Sequence, residues 1–210
     1  MKTFSGTGSI ILSIAFFIFS SCSSTKLVSS WRSPDATVDV NKLQKVWVMC
    51  LVKDESTRRV AEDELAKRQP GVFFPTYNEY PSSAMKADPE KINTSISQSG
   101  YDGIVIMRLV SKEQATSYVP GSSPAYYGGW HGYYGYASPY YYDPGYYRTD
   151  QYYTVETNVY SIKQDKLLWT GMTETVNPGS VETTIREIAD AINFQMKKEG
   201  FLASGSKETK

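Results

Sequence analysis

The sequence predicts a single α/β domain on a mixed sheet: a β-α-β-α-β run, then antiparallel hairpins and a final helix. Three observations predict it. The runs Val46-Trp47-Val48-Met49-Cys50-Leu51-Val52 and Gly103-Ile104-Val105-Ile106-Met107 are apolar without alternation, as strands covered on both faces are. Between them lie two stretches with helical period and capping residues, so successive strands are joined by helical crossovers and run parallel. After Tyr152 the pattern switches to period two, and an amphipathic stretch closes the chain, which reads as hairpins and a covering helix.

Taken in order, the chain starts with a leader. A lysine at position 2 precedes the apolar run Ile10 to Phe19, interrupted by Ser13. Ten or so apolar residues make a signal-peptide core and are too few to cross a bilayer as a helix. The run ends Phe19-Ser20-Ser21-Cys22, which resembles the lipobox of bacterial lipoproteins, with Phe19 where leucine is usual. The resemblance implies cleavage before Cys22 and diacylglycerol on its sulfur, so residues 1–21 are a signal peptide and lipid on Cys22 ties the protein to a membrane. One myristoyl-sized chain holds a protein only marginally, at about 0.8 kcal/mol per buried methylene, whereas two or three hold it stably. The other reading is an ordinary secretory signal cut near Ser20 or Ser21, which leaves Cys22 as an exposed thiol, a poor group to export. Ser23 and Ser24 follow with no acidic residue. By resemblance to lipoprotein sorting signals, that implies the outer membrane, facing the periplasm.

Residues 22–41 are rich in Ser, Thr and Asp and read as a tether. Trp31 is its one bulky residue, either a docking element or a staple onto the domain. The domain then spans 42–202. Lys45 to Lys53 is the first buried strand, and Asp54 caps a helix to about Arg68 whose apolar stripe is Val60, Ala61 and Leu65. Pro70-Gly71 stops it, Val72-Phe73-Phe74 is a second strand, and a loop follows through Tyr77, Tyr80 and Pro81. Asp88-Pro89-Glu90 starts a helix with Ile92 and Ile96 inward, and Gly100 stands where a left-handed C-cap is wanted. After the third buried strand, Arg108 to Tyr118 continues as a polar extended strand. Tyr152 to Ile162 and Leu167 to Val176 form a hairpin around Lys163-Gln164-Asp165-Lys166, with Trp169 and Met172 as anchors. Val181, Ile185, Ile188, Ala189, Ile192 and Met196 then share a helix face, closed by Gly200-Phe201, and 203–210 reads as a disordered tail.

Leu27-Val28-Ser29-Ser30-Trp31-Arg32-Ser33-Pro34, Ser99-Gly100-Tyr101-Asp102-Gly103, Tyr118-Val119-Pro120-Gly121, the Tyr/Gly segment, Thr157-Asn158-Val159-Tyr160 and Leu168-Trp169 resemble a family of uncharacterised bacterial lipoproteins. The resemblance covers most of the mature chain and assigns no role to any motif. The element order is also similar, at the level of fold, to the curli secretion lipoprotein, the amino-terminal domain of TolB and lipoprotein activators of peptidoglycan synthases.

Residues 119–151 form a Tyr/Gly-rich insertion. Thirteen of the 17 tyrosines lie between Tyr118 and Tyr153, with Trp130 and the only histidine, His131. The segment has neither helical nor strand period and joins two hairpin arms, and a loop this long is functional or disordered. Three readings stay open: a passive low-complexity tip, a sticky surface for a protein or membrane interface, or rings that stack on a glycan such as peptidoglycan or lipopolysaccharide. Trp130, Tyr133, Tyr134, Tyr140 and Tyr141 are the candidate contacts.

The inventory narrows the chemistry. With 22 basic and 22 acidic side chains the formal charge is zero, so nothing points to nucleic acid. One histidine in a Gly-rich loop supplies neither a metal site nor a catalytic triad, and Gly128-Gly129 does not lead from a buried strand into a helix, so there is no phosphate loop. Cys50 lies in a buried strand and reads as a small hydrophobe rather than a nucleophile. The expectation is therefore a non-enzymatic protein with no cofactor: a lipid-anchored accessory protein that binds an envelope protein partner, or alternatively a glycan-binding module.

Overall fold

The computed structural model describes residues 24–34, 43–119, 129–130, 132 and 145–202. The expected class holds: one mixed sheet of six strands with helices on both faces. In chain order the elements are β1 (Thr25–Arg32), β2 (Val46–Leu51), α1 (Glu55–Ala66), β3 (Phe73–Pro75) and a 3-10 turn (Thr76–Asn78). Then come α2 (Ser82–Ala87), α3 (Pro89–Gln98), β4 (Gly103–Val119), β5 (Tyr146–Ser161), β6 (Lys166–Val176) and α4 (Val181–Lys198). The sheet order is β1-β6-β5-β4-β2-β3. β2 runs parallel to β3 and β4, and the remaining pairs are antiparallel.

The parallel end is buried on both faces because β2 alternates between two cores. Val48 and Cys50 face α1 and α4, in a cluster with Leu65, Met107, Trp169, Ile188 and Ile192. Trp47 and Met49 face the other way, with Tyr80, Ile96 and Ile104. There the Trp47 indole stacks on Tyr101 at 3.8 Å and meets Tyr80 edge-on. The expected caps form: Asp54 accepts from the Thr57 amide, Asp88 from the Lys91 amide and Ser180 from the Thr183 amide. α4 ends as expected too. Gly200 takes φ +66°, its amide donates to the Lys197 carbonyl and the Phe201 amide to the Met196 carbonyl, which tucks Phe201 into the core.

Several expectations are corrected. The tether reading of 22–41 fails over Thr25–Arg32, which is an edge strand paired antiparallel with β6. Its Ser and Thr side chains find fixed partners: Thr25 bonds Thr175, and Ser30 donates to Glu199. Trp31 is therefore a strand residue opposite Thr170, and it stays half exposed. Of the two expected anchors, Trp169 and Met172, only Trp169 joins a core cluster. They stand three apart on a strand and so project to opposite sides; Trp169 is fully buried, whereas Met172 sits in neither core cluster. Leu168 joins Trp169 in the core because the register slips between Val159 and Tyr160, giving a bulge. A short helix, α2, occupies part of the expected loop after Tyr80, so there are four α-helices rather than three among the described residues. The stripe of α1 centres on Arg58, Ala61, Glu62 and Leu65, with Val60 only partly buried. Finally, Val119 and Tyr146–Gln151 belong to strands, so the insertion proper begins and ends inside 119–151.

Two polar clusters tie distant segments together, one at the end of α4 and one between strand entries and a turn. Trp169 Nε1, Ser30 and Gln195 donate to the Glu199 carboxylate at the end of α4. Burial pushes that carboxyl up, but these hydrogen bonds and Arg32 outweigh it and hold it below its ordinary range. Gly171 is required beside it: a Cβ there would lie 2.1 Å from the Trp169 ring. At the other end of the sheet, Asp102 accepts from the Gln44 and Lys45 amides and from Lys163.

Candidate functional site

The Tyr/Gly-rich insertion emerges from a two-stranded ribbon. β4 and β5 stay paired out to Val119 opposite Tyr146, whereas β6 leaves β5 after Tyr152 opposite Val176. The pairs from Gln114–Gln151 to Val119–Tyr146 therefore have no third strand. At about 3.4 Å per residue this makes an arm of roughly 20 Å. A bulge at Val110, between Leu109 and Ser111, sits at its root, where bulges add twist and re-aim a strand.

Alternation splits the arm into two unlike faces. On one face Gln114 opposes Gln151, Thr116 opposes Thr149, and Tyr118 opposes Tyr147. Each residue meets a copy of itself. The Tyr118 and Tyr147 rings are 5.3 Å apart and tilted, and the two threonine hydroxyls are 3.0 Å apart. The Tyr153 hydroxyl donates to the Gln151 amide oxygen, and the Lys112 ammonium lies 5.1 Å from the Tyr153 ring centre. Apart from Lys112 at the root, this face carries no charge. The other face carries Glu113, Arg148 and Asp150. Arg148 pairs with Asp150 at 2.8 Å, and Asn177 donates to the same carboxylate. Asn177 first and Arg148 second hold the Asp150 carboxyl below its usual range.

The neutral face is open to solvent. Tyr118 is 51% exposed and Tyr147 75%, so the ring pair offers apolar contact area and two hydroxyls to a partner. Of the residues expected at the contact surface, Trp130 is described and is 75% exposed. Tyr133, Tyr134, Tyr140 and Tyr141 lie outside the described residues, as does Cys22. The sequence reading missed Gln114, Thr116, Tyr118, Tyr147, Thr149 and Gln151. Their signal was present as Gln-x-Thr-x-Tyr before the insertion and Tyr-x-Thr-x-Gln after it, a mirrored period-two pattern.

Elsewhere, Cys50 is a buried free thiol. Burial first and the Glu62 carboxylate second push it well above its ordinary value, so it stays protonated. Among the described residues no group of His, Cys, Asp and Glu is placed to hold a metal ion, and no helix is long and apolar enough to cross a membrane.

No protein-family model and no curated protein sequence matches the chain. Among solved structures, the chain is similar to the PelC dodecamer from Paraburkholderia phytofirmans at 9% identity and a TM-score of 0.40, covering 80% of this chain and 94% of that one. It is also similar to the lipoprotein GNA1162 from Neisseria meningitidis at 12% identity and a TM-score of 0.38, covering 73% and 98%.

Proposed function

We propose that this protein is a lipid-anchored, non-enzymatic envelope protein that holds a protein partner on the neutral face of its β4–β5 ribbon. In this reading the lipid is on Cys22, the domain faces the periplasm from the outer membrane, and Trp130, Tyr133, Tyr134, Tyr140 and Tyr141 extend the contact surface beyond the ribbon. The observation that supports it is the self-paired ladder of Gln, Thr and Tyr, exposed at the end of an arm that adds nothing to either core. Tyrosine supplies large contact area at low entropic cost and keeps a hydrogen-bonding tip.

One observation favours a second reading, glycan binding. Sugar sites pair rings with fixed polar side chains, and Gln114, Gln151, Thr116 and Thr149 lie between the Tyr118–Tyr147 pair and Tyr153 on one face. The two readings separate in one experiment. A photo-crosslinker at Thr149, in cells carrying the intact protein or its Tyr118→Ser, Tyr147→Ser variant, captures envelope proteins under the first reading and loses them in the variant. Crosslinks that survive both substitutions, with pull-down of purified peptidoglycan by the intact protein only, turn the assignment to glycan.

A further inference from the structure

Ser24 lies two residues after Cys22 and already belongs to the domain. Its hydroxyl donates to the Glu187 carboxylate on α4 at 2.9 Å, and its carbonyl accepts from the Val176 amide at the end of β6. Two residues span at most about 7 Å. Lipid on Cys22, as proposed above, therefore holds this end of the sheet close against the membrane. The strand registers fix what else leaves by that end. β1 starts there, with Thr25 opposite Thr175, and β6 stops there, with Val176 opposite Tyr152. β1 runs away from that end and the β4–β5 ribbon runs out past it, so the chain enters the domain where the ribbon leaves it. Tyr147 stands five residues beyond Tyr152, about 17 Å along the strand. The end of the ribbon thus extends about 10 Å past the farthest reach of Cys22.

The last two pairs of the ribbon have the chemistry of a membrane interface. Tyr118 opposes Tyr147 and Val119 opposes Tyr146, so both faces of the ribbon end in aromatic or apolar side chains. Tyr146 is 62% exposed, alongside Tyr118 and Tyr147. These pairs carry no charge. The nearest charged group, Arg148, stands one pair further back and is held by Asp150. Tyrosine has an apolar body and a polar tip, and such rings gather where headgroups meet hydrocarbon. Two pairs make about 7 Å of ribbon, within the roughly 5–10 Å to which interfacial segments sink.

We propose that Tyr118, Tyr146 and Tyr147 seat the end of the ribbon in the lipid interface of the membrane that holds Cys22. The Gln and Thr ladder behind them then meets its partner at the membrane surface. The inference rests on the Cys22 lipid of the proposed function, and its test supplies that lipid chemically. The mature chain, residues 22–210, is alkylated at Cys22 with N-hexadecylmaleimide, Cys50 being buried. One acyl-sized chain holds a protein only marginally, so partition into phosphatidylcholine vesicles registers what the rings add. A second form, Cys22→Ser with Gln164→Cys, carries the same chain at the opposite end of the sheet, in the exposed turn between β5 and β6. Tyr118→Ser with Tyr146→Ser and Tyr147→Ser weakens partition of the first form roughly 10-fold or more and leaves the second form unchanged. No loss in the first form, or an equal loss in both, overturns the inference. The vesicles hold no protein and the lipid is given, so such a failure does not touch the proposed function. That reading fails separately, on the Thr149 crosslinks or on the processing of the precursor at Cys22.

Discussion

Arg58 and Glu62 stand one turn apart on α1, are 1% and 0% exposed, and are joined by a 2.8 Å bond from the guanidinium Nε to Oε1. The carboxylate also accepts from the Cys50 amide, the Thr76 hydroxyl and the Tyr77 amide, while Arg58 reaches Thr76 and Ser82. A charge pair on a helix thus holds β2, the 3-10 turn and the start of α2 together. Glu62→Ala leaves the buried guanidinium with only the Glu55 carboxylate, at 3.8 Å, as a counter-charge and strips the Cys50 and Tyr77 amides of their acceptor. Its expected cost is about 3–5 kcal/mol by denaturant unfolding, and Arg58→Met with Glu62→Leu should cost clearly less than Glu62→Ala alone. A cost below about 1 kcal/mol for Glu62→Ala would show that water enters this cluster.

Ile188 is fully buried beneath α4 and joins Leu168 and Trp169 in the core. Ile188→Ala should cost about 2–5 kcal/mol. Phe194, on the same helix but 70% exposed, should tolerate Phe194→Ala with a change near zero. Unfolding curves of the two variants compare them directly, and equal costs would mean that α4 is misplaced on the sheet.

The ribbon lies outside both cores, so its ladder should matter little to stability. Tyr118→Ser with Tyr147→Ser removes one cross-strand ring pair and should cost under about 1 kcal/mol. The measurement is again the denaturant midpoint. A loss of several kcal/mol would mean that the rings support the fold rather than face a partner.

Asp102 ties the turn after β5 to the entry of β2. The Lys163 ammonium first, then the Gln44 and Lys45 amides, hold its carboxyl below the usual range. A depressed folded value contributes stability that is present above the unfolded value, about 3.9, and fades as pH falls through the folded value. Glu199 is depressed as well and acts in the same direction. Stability should therefore drop as pH falls below about 4, and Asp102→Asn should be less stable at pH 7 with a shallower acid limb. Equal acid limbs in wild type and variant would remove Asp102 from this role.

Lipid attachment at Cys22 has its own test. Globomycin should accumulate a precursor that retains residues 1–21, and Cys22→Ser should release the protein into the aqueous phase of a detergent partition. A wild-type protein already in the aqueous phase would end the lipid-anchor reading.

Residues whose role is set by their chain neighbours were legible. Asp54, Asp88 and Ser180 announce helix starts, and Gly100 and Gly200, at φ +74° and +66°, announce helix ends, because caps bond within three or four residues. β2 was legible because it is apolar on both faces. Roles set by distant pairing were not. Thr25–Arg32 has the composition of a tether and a bulge that breaks its alternation at Val28, and it becomes a strand only because β6 offers an open edge about 150 residues later. Arg58 and Glu62 look like an ordinary solvated i,i+4 pair until the 3-10 turn and β2 close over them.

The sequence by itself determined the α/β class, the parallel first half, the covering helix and the position of the aromatic insertion, since period and capping are local. The tertiary structure alone decided which exposed rings share a face. The mirrored Gln, Thr and Tyr of the ribbon lie on opposite sides of the insertion, and only the antiparallel register, which fixes every pair once it fixes one, sets each against its copy.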